Sequence, residues 1–291
     1  MAVIATGFFD GVHLGHRLVI DTLLRAARER GEQSVIVTFW PHPRTVLQKD
    51  ARELRLLSSL AEKRAMLSAL GVDRVEVVPF SREFSRLTAE EYLREWVVGR
   101  LGGTAVVLGY DNRMGSDGLA HDAIVPLAQS LGLDVLECDA VGTISSTKIR
   151  AALERGEVVE AEAMLGYRYG LHGVVVAGNR LGRTIGYPTA NMQLYEPLKL
   201  VPANGVYLVE VETLGGHFHG MTNVGVRPTV SGAGVRTIET HIFDFDELIY
   251  GLDIRVRFIA KIRDERRFDS LEALRDQLAA DEAVCRGMLT K

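Results

Sequence analysis

Apolar residues recur at two different spacings along this chain, and the spacing changes near its middle. From residue 1 to about 140, short apolar runs alternate with stretches in which apolar positions return every three or four residues. Val3 to Thr6, Ser34 to Phe39, Val75 to Val78, Ala105 to Leu108 and Leu133 to Glu137 read as buried strands, while 16–30, 59–70, 88–100 and 121–131 read as helices. Thr88 and Glu91 have capping-box spacing, and Gly31 supplies a stop after the first helix. This alternation predicts an α/β fold around a parallel sheet, with ligands bound beyond the carboxyl ends of the strands.

A helical pair follows, Thr147 to Arg155 and Glu157 to Leu165, closed by Gly156 and Gly166. Beyond it the pattern turns to long β runs: Gly170 to Ala177, Gly205 to Thr213, His217 to Val224, Thr237 to Phe243 and Leu252 to Ile262. They predict a closed antiparallel β-barrel. A C-terminal helix is expected last, with Asp269 as its cap and Glu272 as its third residue, ahead of the apolar Leu274 and Leu278. Two domains are therefore expected, 1–165 and 166–291, and no internal repeat relates them.

A length of 291 residues allows two substantial cores. With 47% hydrophobic and 25% charged residues, the composition excludes disordered and membrane-embedded classes. The net charge of −4 predicts neither nucleic acid nor a membrane as partner, so any phosphate-binding cations must be placed locally. Two distant cysteines, Cys138 and Cys285, suggest reduced thiols rather than a disulfide framework or metal site. No N-terminal segment has the form of a signal peptide, a cytoplasmic location is expected, and no obligatory protein partner is evident.

Chemistry concentrates at a few points. His13 and His16 flank Gly15 where the first strand turns into a helix. Backbone N–H groups and the positive end of the helix dipole meet anions there, Gly15 permits close approach, and two imidazoles add donors for charge developing on a phosphorus. Ser145, Ser146 and Thr147 place three hydroxyls at a helix start, with Lys148 and Arg150 in its first turn. Gly178, Gly182 and Gly186 punctuate a loop that on glycine content alone could be an ordinary hairpin, and it has no P-loop lysine. Thr189 and Asn191, just after Pro188, offer hard oxygen ligands suited to Mg2+. Asp111 follows the fourth strand, and Glu239 lies between β-rich runs; the bland alternatives are a turn residue and a surface strand residue.

The first of these segments resembles the histidine-x-glycine-histidine nucleotidyltransferases, which move AMP or CMP from a nucleoside triphosphate to a phosphate acceptor. Ile144 to Arg150 looks like that superfamily's second triphosphate motif. Within it, Phe9-Asp10-Gly11-Val12-His13-Leu14-Gly15-His16 and Thr38 to Arg44 are most similar to FAD synthetases of the bacterial bifunctional type, whose chain also carries riboflavin kinase. The second half agrees: Gly182 to Asn191, Gly205 to Tyr207, Asn223 to Thr229, Glu239 to Phe245, Tyr250-Gly251 and Arg263 to Phe268 follow the kinase family's order.

The resemblance implies a Rossmann-like FMN adenylyltransferase domain followed by a riboflavin kinase β-barrel. Riboflavin and ATP would give FMN in the barrel; FMN and ATP would give FAD and pyrophosphate in the α/β domain, both with Mg2+. It implies catalytic roles for His13, His16 and, as base, Glu239. Nucleotide contacts are implied for Phe8, Asp10, Gly15, Ser145, Ser146, Thr147, Arg150, Gly178, Gly182, Arg183, Gly186 and Pro188, with Tyr207 as a pocket wall. Asp111 and Asn112 would face flavin in the first domain, Arg263 and Arg267 would close over it in the second, and Thr189 and Asn191 would bind the metal. The chain departs from the family pattern after Asp111, with Asn112, Met114, Gly118 and Ala120. Three alternatives stay open: a different phosphate acceptor, a flavin- or nucleotide-binding regulator, or a kinase with an impaired adenylyltransferase domain.

Overall fold

Strands covered on both faces can be apolar throughout, which is why those of the N-terminal half read as unbroken runs. In the computed structural model, which describes residues 1–47, 54–109, 112–138, 144–178, 181–227 and 235–290, they form a five-stranded parallel sheet. β1 (Ala2–Thr6) leads through the histidine loop into α1 (Leu14–Arg30), and β2 (Gln33–Trp40) returns to the sheet. α2 (Pro43–Leu47) and α3 (Leu60–Ala69) precede β3 (Arg74–Pro79). α4 (Ala89–Glu91) continues as a wider, π-type helix at Tyr92–Arg100 before β4 (Gly103–Gly109). A small hairpin, β5 (Arg113–Met114) and β6 (Leu119–Ala120), then gives way to α5 (His121–Ser130) and β7 (Asp134–Cys138).

The sheet order is β3-β2-β1-β4-β7. Chain direction across the sheet reverses between β1 and β4, which opens a crevice at their carboxyl ends, and the histidine loop follows β1 there. Alternate residues of β1 enter separate cores. Ile4 packs with Val35, Val37, Leu93 and Ile124 on one face, while Val3 and Ala5 pack with Ile20, Leu23 and Val107 on the other. The expected capping box at Thr88 and Glu91 is present with both of its hydrogen bonds, and Ser59 with Glu62 forms another at the start of α3.

The chain divides into two compact units, Met1–Ser146 and Thr147–Lys291. In the second, α6 (Ser146–Arg155) and α7 (Val158–Leu165) end at Gly156 and Gly166, both with positive φ. They precede β8 (Gly170–Val176), α8 (Leu181–Thr184), β9 (Ala190–Leu194), β10 (Gly205–Thr213), β11 (Gly216–Arg227), β12 (Val235–Ile242), β13 (Asp253–Arg263) and α9 (Leu271–Leu289). Six strands close a barrel in the order β10-β11-β12-β9-β8-β13, with every pairing antiparallel. The closing strand β9 was not expected: Asn191 and Gln193 interrupt its apolar residues, and five residues after a proline read as turn. One cap also differs. Ser270, not Asp269, caps α9, its hydroxyl accepting from the Ala273 N–H, so the helix starts one residue later.

Candidate functional site

In the N-terminal unit, His13 is the N-cap of α1, and its Nδ1 accepts from the His16 N–H at 3.3 Å. The two rings stack with centroids 3.7 Å apart, and Phe9 meets His16 edge-on at 5.2 Å. A side chain at Gly15 would put its Cβ 3.1 Å from His13 Nδ1, so glycine is what lets the imidazole lie against the helix start. Burial, then the positive charges of His13 and Lys63, hold His16 well below the ordinary imidazole range. At neutral pH its ring is uncharged, with one N–H to offer a phosphate oxygen. Its Nδ1 is buried with no hydrogen-bond partner among the described residues.

Asp10 and Phe8, both expected beside the nucleotide, have different surroundings. The Asp10 carboxylate is buried and accepts from the N–H groups of Leu57 and Ser58, both at 3.0 Å, and from the Ser58 hydroxyl at 3.2 Å. Its side chain therefore fastens the loop to the segment ahead of α3, while its carbonyl accepts from the Ser146 hydroxyl at 3.1 Å. That last bond ties the histidine loop to Ser146. The Phe8 ring lines a cavity of about 530 Å³ at the carboxyl edge of the sheet, with Phe39, Phe84, Tyr92, Asn112 and Met114. Asn112 and Met114, where the chain departs from the family pattern, thus put an amide and a thioether into a wall otherwise rich in aromatics. Asp111 lies outside the described residues; Ser145 is half-buried beside Ser146, and Thr147 and Arg150 belong to the second unit, on the first turns of α6.

In the barrel, Glu239 of β12 pairs across the ladder with Asn191 of β9 on one side and Asn223 of β11 on the other. Two cavities lie on opposite faces of β12. Glu239 and His241 face one of about 240 Å³, with Asn223, Arg266, Phe268 and Gly182. Thr240 and Ile242 face one of about 290 Å³, with Arg183, Pro188, Phe245 and Tyr250. Thr189 lines both. The glycine loop packs close to this point. A Cβ on Gly178 would lie 2.2 Å from Asn191 Nδ2, and one on Gly182 would lie 2.1 Å from the Tyr187 carbonyl oxygen. Gly186 sits at φ 87, where only glycine is comfortable.

Tyr207, Arg263 and Arg267, each expected to contact a ligand, stand in different surroundings. Tyr207 is fully buried, its hydroxyl donates to the Ala203 carbonyl at 2.6 Å, and its ring packs edge-on against Phe258; it belongs to the barrel core, where burial pushes its hydroxyl up to about 12. Arg263 touches the Glu239 cavity, yet its guanidinium is bound to Asp281 of α9 at 2.8–3.0 Å, and Asp281 is only 2% exposed. It anchors the terminal helix. Arg267 is exposed and does not line the cavity, whereas Arg266 and Glu265 do. Neither of those two was singled out as a site residue from sequence, nor were Asn223 and Lys63; the first three lie inside matched segments whose order does not say which side chain faces a cavity, and Lys63 lies outside any motif.

Two family models match the chain, one described as FAD synthetase over residues 1–152 and one as riboflavin kinase over residues 165–289. The bifunctional riboflavin kinase/FMN adenylyltransferase of Bacillus subtilis (strain 168) is 35% identical, covering 97% of this chain and 90% of its own length. Its counterpart in Escherichia coli (strain K12) is 38% identical, with 98% and 91% covered. A crystal structure of a macrolide-efflux protein from Streptococcus pneumoniae superposes with a TM-score of 0.91 at 36% identity, covering 98% of this chain and 93% of that one.

Proposed function

This chain belongs to the bifunctional riboflavin kinase/FMN adenylyltransferase family, and from that membership we propose how its residues divide two ATP-dependent transfers of flavin biosynthesis. In the barrel, riboflavin occupies the Glu239 cavity and ATP the cavity on the other face of β12. Glu239 accepts the proton of the flavin 5′-hydroxyl as that oxygen attacks the γ-phosphorus, forming FMN and ADP; a positioned base contributes ~10²–10⁴-fold. Thr189 and Asn191 fit a magnesium site: both present hard oxygens, and Gly178 leaves the Asn191 amide room that any side chain would fill. A magnesium ion held there would neutralise charge on the ATP phosphates. The observation that carries this assignment is Thr189, shared by the two cavities beside the Glu239–Asn191 pair.

In the N-terminal unit, a phosphate oxygen of FMN attacks the α-phosphorus of ATP and pyrophosphate leaves. No covalent enzyme intermediate is required, so His13, His16 and the N-terminus of α1 act by positioning and charge stabilisation. The flavin ring lies in the aromatic cavity beside Phe8 and Asn112. Among the described residues no helix is long and apolar enough to cross a membrane.

Chromatography of flavins after incubation with riboflavin, ATP and magnesium tests both halves. Wild type should give FMN and then FAD. His13→Ala/His16→Ala should stop at FMN, and Glu239→Gln should convert supplied FMN to FAD while leaving riboflavin unphosphorylated. Wild type that makes FMN but never FAD would reduce the N-terminal half to a relic or regulatory domain.

A further inference from the structure

The histidine loop has a backbone that would not hold its shape alone. Phe9 and Val12, at φ 48 and 38, are non-glycine residues in the left-handed region, and for a β-branched residue such as Val12 this is a genuine outlier. Strain of that kind persists only where neighbours over-determine it. Besides the Thr38 and Ser146 hydroxyls, which donate to the Phe8 and Asp10 carbonyls at 3.2 and 3.1 Å, the ties come from one stretch, residues 57–63. Ser58 Oγ accepts from the Gly11 N–H at 2.9 Å and donates to Asp10, whose carboxylate is also held by the Leu57 and Ser58 N–H groups. Lys63, 4% exposed, donates from Nζ to the Phe8 carbonyl and to Thr38 Oγ1, both at 2.9 Å. The capping box at Ser59 and Glu62 fixes where α3 begins and hence where that ammonium sits, one turn in.

A buried ammonium is expensive to keep, and burial lowers the Lys63 amine to about 8 although Asp10 pulls the other way. Plain packing would be served by methionine at lower cost. The ammonium instead grips a carbonyl five residues ahead of His13, at the start of the strained turn. We propose that Lys63 is a positioning residue for AMP transfer, clamping the Phe8 carbonyl so that the strained loop presents His13 and His16 to the nucleotide phosphates, with Ser58 as the second tie. The proposal rests on these histidines serving adenylyl transfer.

Lys63→Met preserves volume and removes the clamp. Loss of positioning on the scale of 1 Å lowers rates about 10²-fold, so kcat for FAD formation should fall about 10²-fold while KM for ATP and FMN stays within about threefold. Lys63→Arg, which keeps the charge and donors, should recover part of the loss. Both tryptophans, Trp40 and Trp96, lie in the N-terminal unit, so their fluorescence in urea shows whether that unit is folded under assay conditions, and riboflavin phosphorylation is the internal control. A folded Lys63→Met enzyme with wild-type kcat overturns the proposal, as does an equal loss in Lys63→Arg and Lys63→Met. If Lys63→Met does not fold, Ser58→Ala decides: one lost tie should lower kcat about tenfold, and an unchanged rate overturns the proposal. Should His13→Ala/His16→Ala retain FAD formation, the role of the histidines fails instead.

Discussion

Replacing Gly178 with alanine should disable riboflavin phosphorylation while leaving the barrel folded. The new Cβ would stand 2.2 Å from Asn191 Nδ2 and 2.5 Å from its Cγ, where ordinary contact begins at 3.4 Å, so the amide must retreat by roughly 1.2 Å. The atoms in the way belong to the end of a side chain rather than to backbone, and the φ of Gly178 is not in the left-handed region, so the fold can absorb the change. The proposed metal ligand cannot. Misplacement of about 1 Å is worth about 10²-fold in rate, or ~2.7 kcal/mol of transition-state stabilisation. In steady-state assays of FMN formation, Gly178→Ala should lower kcat by about that factor and raise the magnesium concentration needed for half-maximal rate, while FMN supplied directly is still converted to FAD. Unchanged FMN formation across the magnesium titration would remove Asn191 from the metal site.

Three further outcomes follow from the same geometry. Glu239→Gln should reduce riboflavin phosphorylation by ~10²–10⁴-fold at unchanged fold, measured by FMN release; near-normal turnover would remove it as base. Asp281→Ala leaves the Arg263 guanidinium without its buried partner and should destabilise the barrel by ~3–5 kcal/mol, seen as a lower urea midpoint for loss of kinase activity. Because folding lowers the His16 pKa, the folded N-terminal unit binds fewer protons than the unfolded chain; the stability this supplies is present above the unfolded value of about 6.5 and lost as pH falls through the folded one. Tryptophan unfolding midpoints should therefore decline below about pH 6.5, and His16→Ala should flatten that slope.

Periodicity carried most of the fold because the inner strands β1, β2 and β4 of the α/β unit are buried on both faces and the helices on one. It failed at β9, where two amides alternate with apolar residues over a span too short to outweigh the neighbouring proline. It also failed at the start of α9, where Asp269 and Ser270 are both good caps and only the backbone chooses. Motif residues contiguous in sequence, such as His13 and His16, were legible because their geometry is local. Lys63 meeting Phe8, or Arg263 meeting Asp281, depends on tertiary approach across 55 and 18 residues, which no local pattern encodes. Tyr207 shows the converse: an aromatic inside a matching motif can still be plain core.

β12 acts as a partition. Among the described residues, Thr189 alone lines both cavities, so filling one leaves the walls of the other intact. Neither co-substrate has to wait for the other, and the kinase half should follow random rather than compulsory order of addition. Product inhibition would then sort by side: FMN competes with riboflavin from the Glu239 face, ADP competes with ATP from the Thr240 face. A molecule built to block both at once has to be threaded past a single threonine.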